Sequence, residues 1–225
     1  MTELLAILDC FHTVLIQTAP KIASRLQTGL TRAEEVQIAS FSWKFPQDAS
    51  DLYQWHNGLS GKPGKLNLAQ KLLRLKGKWH GELSGRENEM HLKLENRLIV
   101  AKFLPLDYAL AGHHHLKLGR CLIDLLPFSI LTNGKDTIYC MMRLDPEKPV
   151  IYCADGTKLP PMGVTESFLS TQPQFSRLSD LIIFLTKVCQ QGIQSIAASQ
   201  ESLIDAIDCE LNATQLEQLY QQSKR

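Results

Sequence analysis

Two apolar runs separated by Asn133-Gly134 constrain this chain more than any other feature. Leu126-Pro127-Phe128-Ser129-Ile130-Leu131 precedes the pair and Thr137-Ile138-Tyr139-Cys140-Met141-Met142 follows it. Asn-Gly suits the two positive backbone dihedrals of a type I′ turn, whose twist matches that of the strands it joins. The spacing predicts an antiparallel hairpin. Asp145-Pro146-Glu147-Lys148 supplies the next turn and Val150-Ile151-Tyr152-Cys153 a third strand. A symmetric four-residue loop sets 144 opposite 149 and Cys140 opposite Cys153. That pair reads as two packed thiols, with a redox pair as the alternative.

Helical patterns flank the meander. Leu4, Leu8, Phe11 and Leu15 recur at helical spacing over residues 3 to 28, a stretch divided by Pro20 and stopped by Gly29 in a left-handed conformation. Thr31-Arg32-Ala33-Glu34 has the spacing of a capping box and predicts a short helix to about Ser40. Pro46, Asp48 and Asp51 open a helix over 46 to 56, with negative charge near the positive end of its dipole.

That helix carries the aromatic heptapeptide Leu52-Tyr53-Gln54-Trp55-His56-Asn57-Gly58. Leu52 and Tyr53 share a face with Phe45 and Ala49, whereas Trp55 lies off it. Asn57-Gly58 is expected to end the helix through a left-handed residue, with His56 near the last carbonyls.

Further on, residues 59 to 65 read as a loop, 66 to 79 as a basic amphipathic helix and 80 to 97 as a mobile excursion or marginal hairpin. A strand follows over 98 to 103, then a short helix over 106 to 111. Ser176-Arg177-Leu178-Ser179-Asp180 begins a capped helix to about Gln191, stopped by Gly192, and two helical segments follow at 195 to 208 and 212 to 222. Helices, then an antiparallel meander, then helices, with no βαβ alternation, give an α+β class. The expected organisation is one domain over 1–192 with a basic insertion near 59–97, and a helical extension over 193–225.

With 225 residues, 44% hydrophobic and 21% charged, the chain can bury a substantial core. Its net charge of +1 supplies no global attraction to nucleic acid or an anionic membrane. Glu3, Asp9 and His12 disagree with a secretory leader, and no apolar run approaches the roughly 20 residues of a membrane span. Six cysteines form no C-x-x-C pair. These features read as a cytoplasmic protein.

Motifs for common chemistries are incomplete. Gly58-Leu59-Ser60-Gly61-Lys62-Pro63-Gly64-Lys65 has Pro where a phosphate loop from Gly58 needs Gly, and it follows a helix. Ser84 is one residue short of a G-x-S-x-G elbow. In an extended segment, His113 and His115 would share a face and could bind a metal, with Asp107 and Asp124 as further ligand candidates; a solvated loop is the default. Charge is segregated: residues 62 to 102 hold ten Lys or Arg against four Glu, and 195 to 217 hold five acids and no base. Nucleic acid is disfavoured because the aromatics are not interleaved with the bases.

Phe45-Pro46-Gln47-Asp48 with the heptapeptide, then Pro127-Phe128, Val150-Ile151-Tyr152, and Phe175-Ser176-Arg177-Leu178-Ser179-Asp180-Leu181 with Phe184-Leu185, resembles the SUKH superfamily. This is the Smi/Knr type of domain of fungal cell-wall assembly regulators and many bacterial immunity proteins. Phe45 stands where the family has Leu, and Ala49-Ser50 where an aromatic is common. The resemblance implies a central antiparallel sheet flanked by helices and a protein-binding role, in bacteria often neutralisation of a toxin. It implies no catalytic residue and no cofactor.

The reading that results is a non-enzymatic protein-binding module, immunity or regulatory in role. Its contact candidates are Trp55 and His56 at the helix end and Lys71, Arg74 and Lys78 on the inserted helix. The alternatives are a metal-dependent enzyme using His113 and His115, and a homo-oligomer joined through the basic and acidic segments.

Overall fold

A computed structural model describes residues 2–39, 45–59, 90–94, 97–118, 121, 123–132, 137–155, 173–192 and 209–211. The observed class is α+β. Six strands form the main sheet in the order β7-β6-β5-β4-β3-β8. They are β3 (Met90–Leu94), β4 (Arg97–Phe103), β5 (Leu125–Thr132), β6 (Thr137–Arg143), β7 (Ile151–Asp155) and β8 (Cys209–Leu211). All neighbours pair antiparallel except β3 and β8, which run parallel. A separate two-stranded ribbon joins β1 (Leu26–Thr28) to β2 (His56–Leu59).

Local chemistry accounts for the meander. β5 and β6 pair antiparallel as expected, but Thr132 faces Thr137, so four residues separate the strands where a type I′ turn at Asn133-Gly134 has two; residues 133–136 lie outside the described residues. Pro127 cannot donate to a ladder, and the β5–β6 register shifts between Pro127 and Ser129. Cys140 faces Cys153, as a symmetric second turn requires. The weak alternation at Met90, Leu92 and Leu94 is a paired strand, joined to β4 in an antiparallel hairpin.

The helices are α1 (Glu3–Thr18), α2 (Pro20–Ala23), α3 (Arg32–Ala39), α4 (Gln47–Trp55), α5 (Leu106–Leu118) and α6 (Leu178–Gly192). Leu4, Leu8 and Leu15 of α1 are buried as their spacing predicts, and Pro20 opens α2. Residues 26–28 are a strand, where the sequence pattern had extended the helix. Gly29 is not left-handed either. A Cβ there would sit 1.7 Å from the Gln54 carbonyl oxygen, so glycine is required by the close approach of the chain to the end of α4. The predicted basic helix at 66–79 and the two C-terminal helices lie outside the described residues.

One cluster built from α1, α4, α5, α6 and the sheet contains most of the buried apolar side chains, including Leu8, Ala49, Leu52, Tyr53, Leu126, Met141 and Leu178. Polar groups are buried at the same place. The capping box at Thr31 is closed in both directions: Glu34 accepts from the Thr31 amide at 2.8 Å, and the Glu34 amide donates to Thr31 Oγ1 at 3.3 Å. One turn on, Glu35 is only 2% exposed, and its carboxylate accepts from Arg32 Nη1 (2.6 Å), Ser50 Oγ (2.8 Å) and Gln54 Nε2 (2.9 Å).

This network fastens α3 to α4. Replacing Glu35 with Ala leaves Ser50 without its acceptor in a buried site, an expected cost of about 2 kcal/mol, read as a lower urea midpoint at unchanged slope. Arg32 is 66% exposed but supplies the counter-charge of this buried carboxylate, so Arg32→Ala should also destabilise, by about 2 kcal/mol or more. A midpoint unchanged by either substitution would contradict the assignment.

Candidate functional site

The aromatic segment of α4 and β2 gathers groups capable of chemistry, and each is tied to a neighbouring element. Asp48, in the first turn of α4, accepts from the amide of Leu178 at the start of α6. Burial, with the nearby Asp51 carboxylate, raises its pKa above the ordinary carboxylate value. Asp51 itself is 2% exposed; its carboxylate accepts from Thr2 Oγ1 at 2.5 Å and Gln47 Nε2 at 2.7 Å. Thr2 also caps α1 by accepting from the Leu5 amide at 3.4 Å, so one hydroxyl joins the start of α1 to the middle of α4.

At its other end α4 stops one residue earlier than the sequence suggests. His56 is the extended C-cap residue, and its amide donates to the Leu52 carbonyl. Asn57-Gly58 does not end the helix, because β2 has already begun. Each of these residues serves another contact. His56 Nδ1 donates to the Gln27 carbonyl of β1 at 2.6 Å, instead of meeting the last helical carbonyls. Asn57 Oδ1 accepts from the Leu106 amide at 2.8 Å and thereby caps α5. Gly58 does have a positive φ, +80°, and an added Cβ would lie 2.5 Å from Pro105 N, so both dihedral and space require glycine.

Trp55 is covered from α1. Its ring centroid lies 6.1 Å from Phe11, 6.0 Å from His12 and 4.4 Å from His56, with His12 and His56 themselves 4.8 Å apart, edge to face. The indole Nε1 is buried without a hydrogen-bond partner among the described residues, as is the Tyr53 hydroxyl. Trp55 and His56 therefore sit side by side, partly buried, in an intramolecular aromatic packing. Lys71, Arg74 and Lys78 lie outside the described residues.

The histidine cluster requires a correction. Residues 113–115 belong to α5, which runs on to Leu118, so 113 and 115 are not neighbours on an extended face. Positions two apart on a helix do not share a face. His113 is 3% exposed and its Nδ1 donates to the Leu125 carbonyl of β5 at 2.8 Å, whereas His114 is exposed. His113 therefore ties α5 to the sheet. The described residues contain no group of three or more metal-ligating side chains, and no helix among them is long and apolar enough to cross a membrane.

Sequence reasoning missed the His56, Asn57 and Asp48 contacts, since each partner lies many residues away and no local spacing encodes it. The chain matches no known family model and no curated protein.

Burial holds both His56 and His113 below the ordinary histidine pKa of 6.5, against the opposing effect of their hydrogen bonds to carbonyls. A lowered folded-state pKa means that the unfolded chain binds more protons near neutrality. The stability these groups contribute is in place above pH 6.5 and is lost as pH falls through their folded-state pKa values. Asp48, shifted upward, works with the opposite sign but only around the carboxylate range. The urea midpoint should fall between about pH 7.5 and about pH 5.5, with a shallower fall in His56→Gln and His113→Gln. A profile unchanged by either substitution would contradict the assignment.

Proposed function

We propose that this chain is a non-enzymatic protein-binding module of the Smi/Knr type, acting in the cytoplasm as an immunity or regulatory protein. The observation that carries the reading is the engagement of the reactive-looking side chains in holding the fold. His56 fastens α4 to β1, His113 fastens α5 to β5, and Asp51 and Glu35 accept from neighbouring elements. An α+β arrangement with a mainly antiparallel sheet and packed helices accords with the domain type that the sequence resembles.

On this reading the partner is a protein with an acidic contact surface, recognised by Lys71, Arg74 and Lys78. Trp55 and His56, against which α1 packs, are the further contact candidates. The metal-dependent alternative loses its premise once 113–115 are helical.

Affinity capture from extracts of the source cells tests the proposal. Wild-type protein is expected to retain a partner at near-stoichiometric amount, and a Lys71→Glu, Arg74→Glu, Lys78→Glu variant to lose it in elevated proportion to the charge reversed. Identical recovery by both proteins would overturn the basic-face assignment.

A further inference from the structure

The strands β6 and β7 bring two thiols together, with Cys140 Sγ and Cys153 Sγ 3.7 Å apart. The position within the ladder matters as much as the distance. The Arg143 amide donates to the Val150 carbonyl across the two strands, so Cys140, three residues earlier, directs its amide the other way. Cys153 agrees: its amide donates to Gln174 Oε1, on the outer side of β7, at 2.6 Å. The two cysteines thus occupy a non-hydrogen-bonded pair, where antiparallel Cα atoms approach to about 4.5 Å and the side chains are closest. That separation falls inside the roughly 4.4–6.8 Å range a disulfide spans, so side-chain rotation can close the bond without moving either strand.

We propose that Cys153 and Cys140 are a peroxide-reactive dithiol, in which Cys153 is oxidised first and Cys140 resolves it to a cross-strand disulfide. The order follows from placement. Cys153 is partly exposed on the outer strand, whereas Cys140 is 6% exposed in the core, and either thiol can donate in the contact between them. With Cys140 as the donor, that contact lowers the Cys153 pKa and, together with burial, raises that of Cys140. Of the others, Cys121 is buried and donates its S–H to the Ile123 carbonyl, and Cys10 is exposed on α1.

The chemistry balances. The Cys153 thiolate attacks a peroxide oxygen, the O–O bond breaks, and a sulfenic acid forms with release of water or an alcohol. Cys140 sulfur then attacks the Cys153 sulfur, its proton leaves with the hydroxide as water, and one S–S bond results. Two thiols have been oxidised and one peroxide reduced.

Full-length protein treated with hydrogen peroxide, alkylated and digested with trypsin without reduction provides the test. Arg143 lies between the two cysteines, so cleavage separates them and the bond is read as joined peptides two hydrogens lighter. The expected result is a Cys140–Cys153 link in native protein, a dimedone adduct on Cys153 in Cys140→Ser, and unmodified Cys140 in Cys153→Ser. Full alkylation of both cysteines in wild type while Cys10 is oxidised would overturn the proposal. So would a link that forms only in denaturant, or an adduct on Cys140 in Cys153→Ser as strong as that on Cys153 in Cys140→Ser.

Discussion

The burial of α4 is the constraint on which the surrounding structure depends. Nine residues long, this helix places Ala49, Ser50, Asp51, Leu52 and Tyr53 all in the interior. Two of these are polar or charged, and an unpaired carboxylate or hydroxyl in such a site costs several times what a good hydrogen bond returns. Gln47 and Gln54 of the helix itself supply part of the pairing, and the rest comes from outside it. Thr2 arrives from the start of α1 and Glu35 from α3, while Asp48 reaches out to the start of α6.

The same segment continues the pattern after the helix ends. His56, Asn57 and Gly58 bind β1, cap α5 and allow the chain to pass against Pro105, within three consecutive residues. Through these contacts the ribbon and α5 are fixed relative to the helix, and His113 passes the connection to β5. A dense set of structural contacts thus engages this segment of two aromatics and a histidine. Trp55 Nε1 and Tyr53 Oη are buried in this arrangement without a hydrogen-bond partner among the described residues.

Features written in short sequence windows were legible. The apolar stripe of α1, the capping box at Thr31 and the meander with Cys140 opposite Cys153 all depend on local spacing, and all are observed. Features set by distant partners were not. Three residues of β1 are too few to display a two-residue period, and Gly29 is needed for its approach to Gln54, which no pattern around residue 29 records. Asn57-Gly58 carries the same local signal whether it ends a helix or turns a strand past Pro105; tertiary contacts decide. The histidine run looked like a loop because three adjacent polar residues obscure helical periodicity, yet one of them lies inside with a carbonyl to bind. The candidate site was less legible than the fold: the sequence singled out Trp55 and His56, but not the packing of α1 that covers them.

Native-state hydrogen exchange at the α4 amides tests the central claim most directly. If α4 is the element to which its neighbours are fastened, Leu52 and Tyr53 should exchange only through global unfolding, with a free energy equal to that from urea denaturation. Exchange of these amides at a free energy about 2 kcal/mol or more below the global value would show that α4 opens alone, and would contradict the account.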